Sequence, residues 1–196
     1  MDTNLTTTPE SGALRRVLAR WPTAVAVAIS LPGFLGGAPE AGVLADSLGN
    51  ALMMLPLAYL TVAKLGRRRA TWPVVGSIIA IVVIARTLDL VSPAVVLSSL
   101  ALVVLAWSVA DGELRRDGSL RVQALGLAGF GVLTFAGLAL LATRPDLGVV
   151  LVAAGWFLHG VWDFVHLRLD RVVARSFAEW CGVIDVLLAV QLLLLL

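Results

Sequence analysis

Residues 156–185 read W-F-L-H-G-V-W-D-F-V-H-L-R-L-D-R-V-V-A-R-S-F-A-E-W-C-G-V-I-D. They hold both histidines of the chain, His159 and His166, and its single cysteine, Cys181. At about 100° per residue, Asp163 lies about 40° round a helix from His159, and His166 about 20° the other way. All three therefore share one face. Around them stand Leu158, Val161, Trp162, Phe164 and Val165, so the rest of the helix surface is apolar. A helix that is apolar almost all round, with ionisable groups confined to one stripe, reads as a membrane span with a functional face.

The rest of the chain agrees. Of the residues, 59% are hydrophobic and only 14% charged, and the mean hydropathy is +0.95; a soluble domain carries about 25% charged residues. A bilayer core needs about 20 apolar residues per helix, so 196 residues leave room for six or seven spans with short loops and none for a separate soluble domain. The expected fold is an all-α polytopic membrane protein. Residues 1–20 form a polar cytoplasmic tail, and residues 21–196 form a single domain of seven transmembrane helices.

The spans are expected at about 21–35, 39–64, 72–86, 93–110, 122–142, 147–167 and 177–196. Pro39 suits a first helical turn, Trp72-Pro73 and Ser92-Pro93 open spans three and four, and Arg144-Pro145-Asp146 turns into span six. Span five carries Gly126, Gly129, Gly131 and Gly137, a composition that lets membrane helices approach closely. Arg15, Arg16 and Arg20 followed by a short apolar run and Gly36-Gly37-Ala38 also fit a secretory leader; the immediate start of a second span favours a retained helix. Ser176 and Glu179 have the spacing of a capping box at the start of span seven.

Charge sets the orientation. Of the fifteen basic residues, all but Arg86 and Arg144 fall in the tail and in every second loop. These are Arg15, Arg16 and Arg20; Lys64, Arg67, Arg68 and Arg69; Arg115, Arg116 and Arg121; and Arg168, Arg171 and Arg175. Basic residues collect on the cytoplasmic side, so the N-terminus is expected in the cytoplasm and the C-terminus outside a bacterial inner (plasma) membrane. The basic character therefore has a topological cause. No basic run interleaved with aromatics tracks a phosphate backbone, so nucleic acid is not an expected partner; the lipid bilayer and a lipophilic small molecule are.

Several chemistries are excluded by composition. One cysteine permits neither an internal disulfide nor a CxxC motif. Retinal needs a lysine within a late span, and the only lysine, Lys64, ends span two. Two histidines on one face of one helix cannot ligate both sides of a haem. There is no GxSxG, HExxH or glycine-rich phosphate loop.

The remaining ionisable residues inside the spans are candidate site residues. Counted at about 1.5 Å per residue from the cytoplasmic ends of spans six and seven, His159 and Asp185 lie about 12 Å deep, and Asp163 and Cys181 about 6 Å deep. If the two spans face each other, His159, Asp163, His166, Cys181 and Asp185 form one cluster. His159, Asp163, His166 and Asp185 are then candidate ligands of a divalent metal such as zinc, suited to hydrolysis by metal-activated water. Alternatively, Asp163 or Asp185 acts as a buried general acid on a lipid-soluble alkene or epoxide, with Trp156, Trp162 and Trp180 lining the pocket or simply anchoring helices at the interface. A third reading makes the group a structural polar seam. At the outer end, Glu40, Asp46, Asn50, Arg86 and Asp89 form a smaller group, in which Asp46 and Arg86 are expected to pair and which, with the inner cluster, could mark a proton or solute path.

The pattern His159-x-x-Trp162-Asp163-x-x-His166, followed by Cys181-x-x-x-Asp185 and the apolar Leu187-Leu188-Ala189, resembles that of a small bacterial integral membrane family with no assigned activity. Its size and helix number are similar to those of the seven-helix hydrolases of the alkaline ceramidase and adiponectin-receptor type. That resemblance implies a zinc-dependent lipid amidase, but those enzymes use three histidines, one from an early span, and the early spans here have none. Integral membrane terpene cyclases are similar in size as well. They rely on membrane carboxylates, and span two here lacks the tryptophan-glutamate signature, with Asp46 the nearest substitute.

Overall fold

The structure is a computed structural model and describes residues 20–89 and 91–196. The expected tail falls on residues 1–20 and so lies, but for Arg20, outside the described residues. Among those described the secondary structure is entirely helical. Six helices are long and apolar enough to cross a membrane, and a shorter apolar helix, Trp21–Gly37, precedes them.

The helices follow the apolar runs, and their ends follow local chemistry. Helix α1 (Trp21–Pro32) widens into a turn at Gly33–Gly37, where Gly36 takes a φ of 91°. Helix α2 (Ala41–Leu65) is interrupted at Met53, where Ala41–Leu52 gives way to Met54–Leu65. The cause is Pro56, which lacks an N–H and whose ring crowds the carbonyl four residues before it. Helix α3 spans Thr71–Leu88. Helix α4 (Pro93–Ala110) has proline in its first turn and the Ser92 hydroxyl accepting from the Val95 N–H. Helix α5 (Gly118–Leu141) starts four residues earlier than expected because the Asp117 carboxylate accepts from the N–H groups of Ser119 and Leu120. Helix α6 is Pro145–Leu169 and helix α7 is Arg175–Leu194.

Helix α2 is the axis of the bundle. It touches α3, α4, α5 and α6, and Leu52, Tyr59 and Leu60 on it are fully buried. By contrast Val83, Leu102, Val103, Leu125 and Val132 on α3, α4 and α5 are exposed, which is an outward-facing apolar girdle suited to lipid. The N-terminal helix α1 rests on α7.

The basic segments gather at one end. Lys64, at the end of α2, donates to Asp111 and, at 2.7 Å, to Glu113, and its ammonium sits 4.6 Å over the Trp107 ring. The Lys64 bond holds the Asp111 carboxyl below the usual carboxylate range. Arg68 donates to the Val173 carbonyl at 3.0 Å and to Asp170 at 2.6 Å, and this likewise holds Asp170 low. Both contacts are therefore present at neutral pH and are lost only as the pH falls through those lowered values. The Lys64 contacts hold the end of α2 to the α4–α5 connection, while those of Arg68, with the Trp72 N–H donating to the Ser176 hydroxyl at 3.1 Å, clamp the α2–α3 connection onto the α6–α7 turn and the start of α7.

Two sequence-level expectations are corrected here. Glu179 does not cap α7, whose first turn has no side-chain cap; it accepts from the Thr23 hydroxyl at 2.6 Å and from Arg20 at 3.3 Å, tying α1 to α7. Arg86 does not pair with Asp46. Its guanidinium donates at 2.6 Å to the Ser47 carbonyl, because the register of α2 and α3 brings a backbone acceptor closer than the carboxylate.

The most extensive helix pairing is α6 on α7, and two glycines permit it. A Cβ on Gly160 would lie 3.1 Å from the Gly182 carbonyl oxygen and 2.9 Å from a Val186 methyl; one on Gly182 would lie 3.1 Å from Asp163 Cβ. Of the four glycines noted in α5, a Cβ on Gly126 would meet the Trp162 ring and one on Gly137 a Val152 methyl, one on Gly131 would lie 3.8 Å from the Met53 sulfur, and one on Gly129 would meet no other element within 4 Å. Replacing Gly182 with leucine should therefore cost about 1–3 kcal/mol by overpacking. Gly129→Ala should change stability by no more than about 1 kcal/mol, in the stabilising direction. Thermal unfolding of the two variants in detergent checks the contrast.

Candidate functional site

Because Gly160 and Gly182 bring the backbones of α6 and α7 together, the residues beside them meet. His159 and Asp163 on α6 and Cys181 and Asp185 on α7 converge, with one ligand-capable atom from each lying within 4.8 Å of all the others. All four residues are fully buried. The depth pairing expected from the sequence holds: His159 Nδ1 is 2.9 Å from Asp185 Oδ2 and 3.0 Å from Asp163 Oδ2. With the ring proton on Nδ1, that single N–H donates to both carboxylates. Cys181 Sγ lies 3.8 and 3.9 Å from the two oxygens of Asp185, a long and weak contact for a thiol donor.

Two further residues complete the site, and the sequence does not reveal either. Tyr59, the chain's only tyrosine, reaches in from α2 and donates its hydroxyl to Asp163 Oδ1 at 2.5 Å. Asp163 thus accepts at both oxygens. Tyr59 is the only aromatic residue of its span, which was the available signal, but nothing in the spacing says which helix it meets. Gln123, on α5, donates its side-chain N–H to His166 Nε2 at 3.0 Å.

That contact removes His166 from the group. Its Nδ1 lies 2.9 Å from the Trp162 carbonyl, which can only accept, so Nδ1 carries the proton and Nε2 accepts from Gln123. Both ring nitrogens are engaged. The physical reason is distance along the axis: seven residues put His159 and His166 about 10 Å apart on the same face, too far for one ion. The structure places Cys181 in the group instead.

The rings round His159 are Tyr59 and Phe130, at centroid distances of 5.6 and 5.0 Å. The tryptophans expected to line a pocket here are elsewhere. Trp156 donates to the Leu48 carbonyl at 3.2 Å, Trp162 lies against His166 and Phe130, and Trp180 packs with Trp72 and Phe177.

One imidazole, two carboxylates and one thiol form a ligand set for a borderline divalent metal. Four ligands at zinc bond lengths of about 2.1 Å stand roughly 3.4 Å apart, so a group whose donors lie within 4.8 Å of one another needs only a small contraction to close round one ion. The group could bind a metal. His159 Nε2 is buried with no hydrogen-bond partner among the described residues. No protein-family model, curated protein or solved structure matches the chain.

Removing the Tyr59 hydroxyl isolates one contact. Tyr59→Phe keeps the ring packing but leaves a buried carboxylate oxygen of Asp163 without its donor. The expected cost is about 1–3 kcal/mol of stability, read from thermal or denaturant unfolding beside a control substitution on the lipid face such as Leu125→Ala, which is largely exposed.

Proposed function

We propose that this chain is a seven-span protein of a bacterial inner membrane, with its N-terminus in the cytoplasm and its C-terminus outside. In this reading α1 through Gly37 is the first span. Support comes from the six long apolar helices that follow it and from the basic segments: the contacts of Arg20, Lys64 and Arg68 with the α7 start, the α4–α5 connection and the α6–α7 turn put them at one end, as a single cytoplasmic face requires. A reporter enzyme that is active only outside the membrane should be active when fused after Leu196 and inactive when fused in the 111–117 connection. The reverse pattern would overturn the orientation.

We further propose that the chain is a metal-dependent membrane enzyme, a hydrolase of lipophilic substrates. His159, Asp163 and Asp185 are its metal ligands, Cys181 is the fourth donor, and Asp163 and Asp185 are its catalytic carboxylates. The observation that carries this reading is the convergence of four fully buried metal-ligating side chains from α6 and α7. A bound divalent ion supplies Lewis-acid activation of water at neutral pH. The chain's own residues hold the ligands in place: Tyr59 fixes one oxygen of Asp163, and the Gly160–Gly182 contact fixes the spacing of the two helices. Because the group is sealed from solvent, a substrate reaches it only where neighbouring helices part, which selects molecules already dissolved in the bilayer.

A second reading rests on the His159 N–H shared by two carboxylates: the same group is satisfied by a proton alone and then serves acid catalysis or proton transfer. Metal analysis by mass spectrometry of detergent-purified protein separates the two. The metal reading expects one equivalent in the wild type, lost in His159→Ala and in Asp185→Asn, but kept in His166→Ala because His166 is committed to Gln123 and Trp162. Metal-loaded protein should hydrolyse a lipid amide or ester, and the His159 variant should not. A metal-free wild type would overturn the metal reading and leave the proton reading standing.

A further inference from the structure

The end of the bundle opposite the basic loops holds a cavity of about 540 Å³ between α2, α3 and α4. Its volume falls in the range of small-molecule sites. Its polar lining is Asp46, Asn50, Arg86, Asp89 and Ser92. Three charges therefore face one space, yet among the described residues neither carboxylate makes an ion pair, and Arg86 is held by the Ser47 carbonyl instead. Asn50 Oδ1 is buried and without a hydrogen-bond partner among the described residues. Among the described residues Asp46 accepts only from the neutral Asn50 amide, at 3.3 Å, so the cavity offers one cation with spare N–H donors and an excess of acceptors.

A second, apolar cavity of about 240 Å³ adjoins it. Ala85 and Val91 form part of both walls, and Ile81, Ile84, Leu88 and Val96 line the rest of the second. A polar chamber at a helix end that continues into an apolar groove along α3 and α4 has the two-part character of a phospholipid at a membrane interface.

We propose that this chamber is a binding site for a zwitterionic phospholipid carrying a primary amine, such as phosphatidylethanolamine. The phosphate pairs with Arg86, the ammonium is received by Asp46, Asp89 and Asn50 Oδ1, and an acyl chain lies in the groove along α3 and α4. Arginine matches phosphate geometry through two N–H donors. The acceptors select the amine, because a primary ammonium donates three N–H bonds and the quaternary ammonium of phosphatidylcholine donates none. The site is independent of the His159 cluster and of any activity there.

The test uses the full chain in detergent, equilibrated with phosphatidylethanolamine and phosphatidylcholine of identical acyl chains in equal amounts. Native mass spectrometry reads the ratio of the two bound species. A hydrogen bond to a charged group is worth about 1.5–3 kcal/mol, so a preference of about tenfold or more for the ethanolamine lipid is expected. Occupancy should fall stepwise through the N-methyl and N,N-dimethyl lipids, a series that alters the ligand and leaves the protein untouched. The Asp46→Asn, Asp89→Asn double variant should bring the ratio close to one, and Arg86→Gln should lower the occupancy of both lipids. A wild-type ratio near one overturns the proposal, as does a preference unchanged in the double variant. Displacement of the lipid by equimolar water-soluble glycerophosphoethanolamine would overturn the lipid assignment by showing a site for a free zwitterion.

Discussion

Burying ionisable side chains inside a bilayer is the constraint to which the rest of this structure answers. A carboxylate transferred alone into a medium of low dielectric costs many kcal/mol, so two of them can sit within a membrane only beside donors held at fixed distances. The donors here are the His159 imidazole on α6 and the Tyr59 hydroxyl on α2, and the carboxylates that they serve are Asp163 on α6 and Asp185 on α7. Such short contacts require backbones that approach closely. Gly160 and Gly182 provide that approach where any larger residue would push the helices apart. The glycines beside His159 and Cys181 are thus part of the site, although neither has a side chain to contribute to it.

The same constraint explains the central position of α2. A phenol that donates to a fully buried carboxylate must itself be fully buried, and Tyr59 is; that requires other helices to surround α2. Another polar contact of the interior, Gln123 to His166, plays an equivalent role between α5 and α6. Each ties a helix to α6 through a directional bond. Non-polar contact alone discriminates poorly among helix arrangements in lipid, since lipid tails are as apolar as the side chains they replace.

The six long helices were legible in the sequence because each is a largely apolar run bounded by proline, charge or a capping residue. The meeting of His159 with Asp185 was legible as well, because a short connection forces α6 and α7 to run side by side and depth then follows from counting residues. Tyr59 and Gln123 were not. Their partners are some 104 and 43 positions away along the chain, and no periodicity records which faces of non-adjacent helices meet. Angular position alone groups His166 with His159, and the axial rise of seven residues separates them. Local spacing fits Glu179 to a cap, but is silent about an α1 hydroxyl arriving from the other end of the chain. In each case a long-range contact prevailed over a local pattern.

What the cluster requires electrostatically also limits what it can do. Two carboxylates and one imidazole, with no solvent access and no lysine or arginine among their hydrogen-bond partners, need compensating positive charge in the space between them. An additional proton, carried by the His159 imidazole or by one of the carboxyl groups, supplies one unit of it. A divalent ion supplies two, using the same oxygens and nitrogen with the thiol of Cys181 close at hand. Both occupants satisfy the same demand, and both make the site a place where a positive charge is held deep in the bilayer against its ordinary cost. Replacing buried charged pairs by packed apolar side chains is often neutral or stabilising, so stability alone does not demand this arrangement. The proposed chemistry gives a use to the convergence of three ionisable groups and a thiol in a chain otherwise poor in charge.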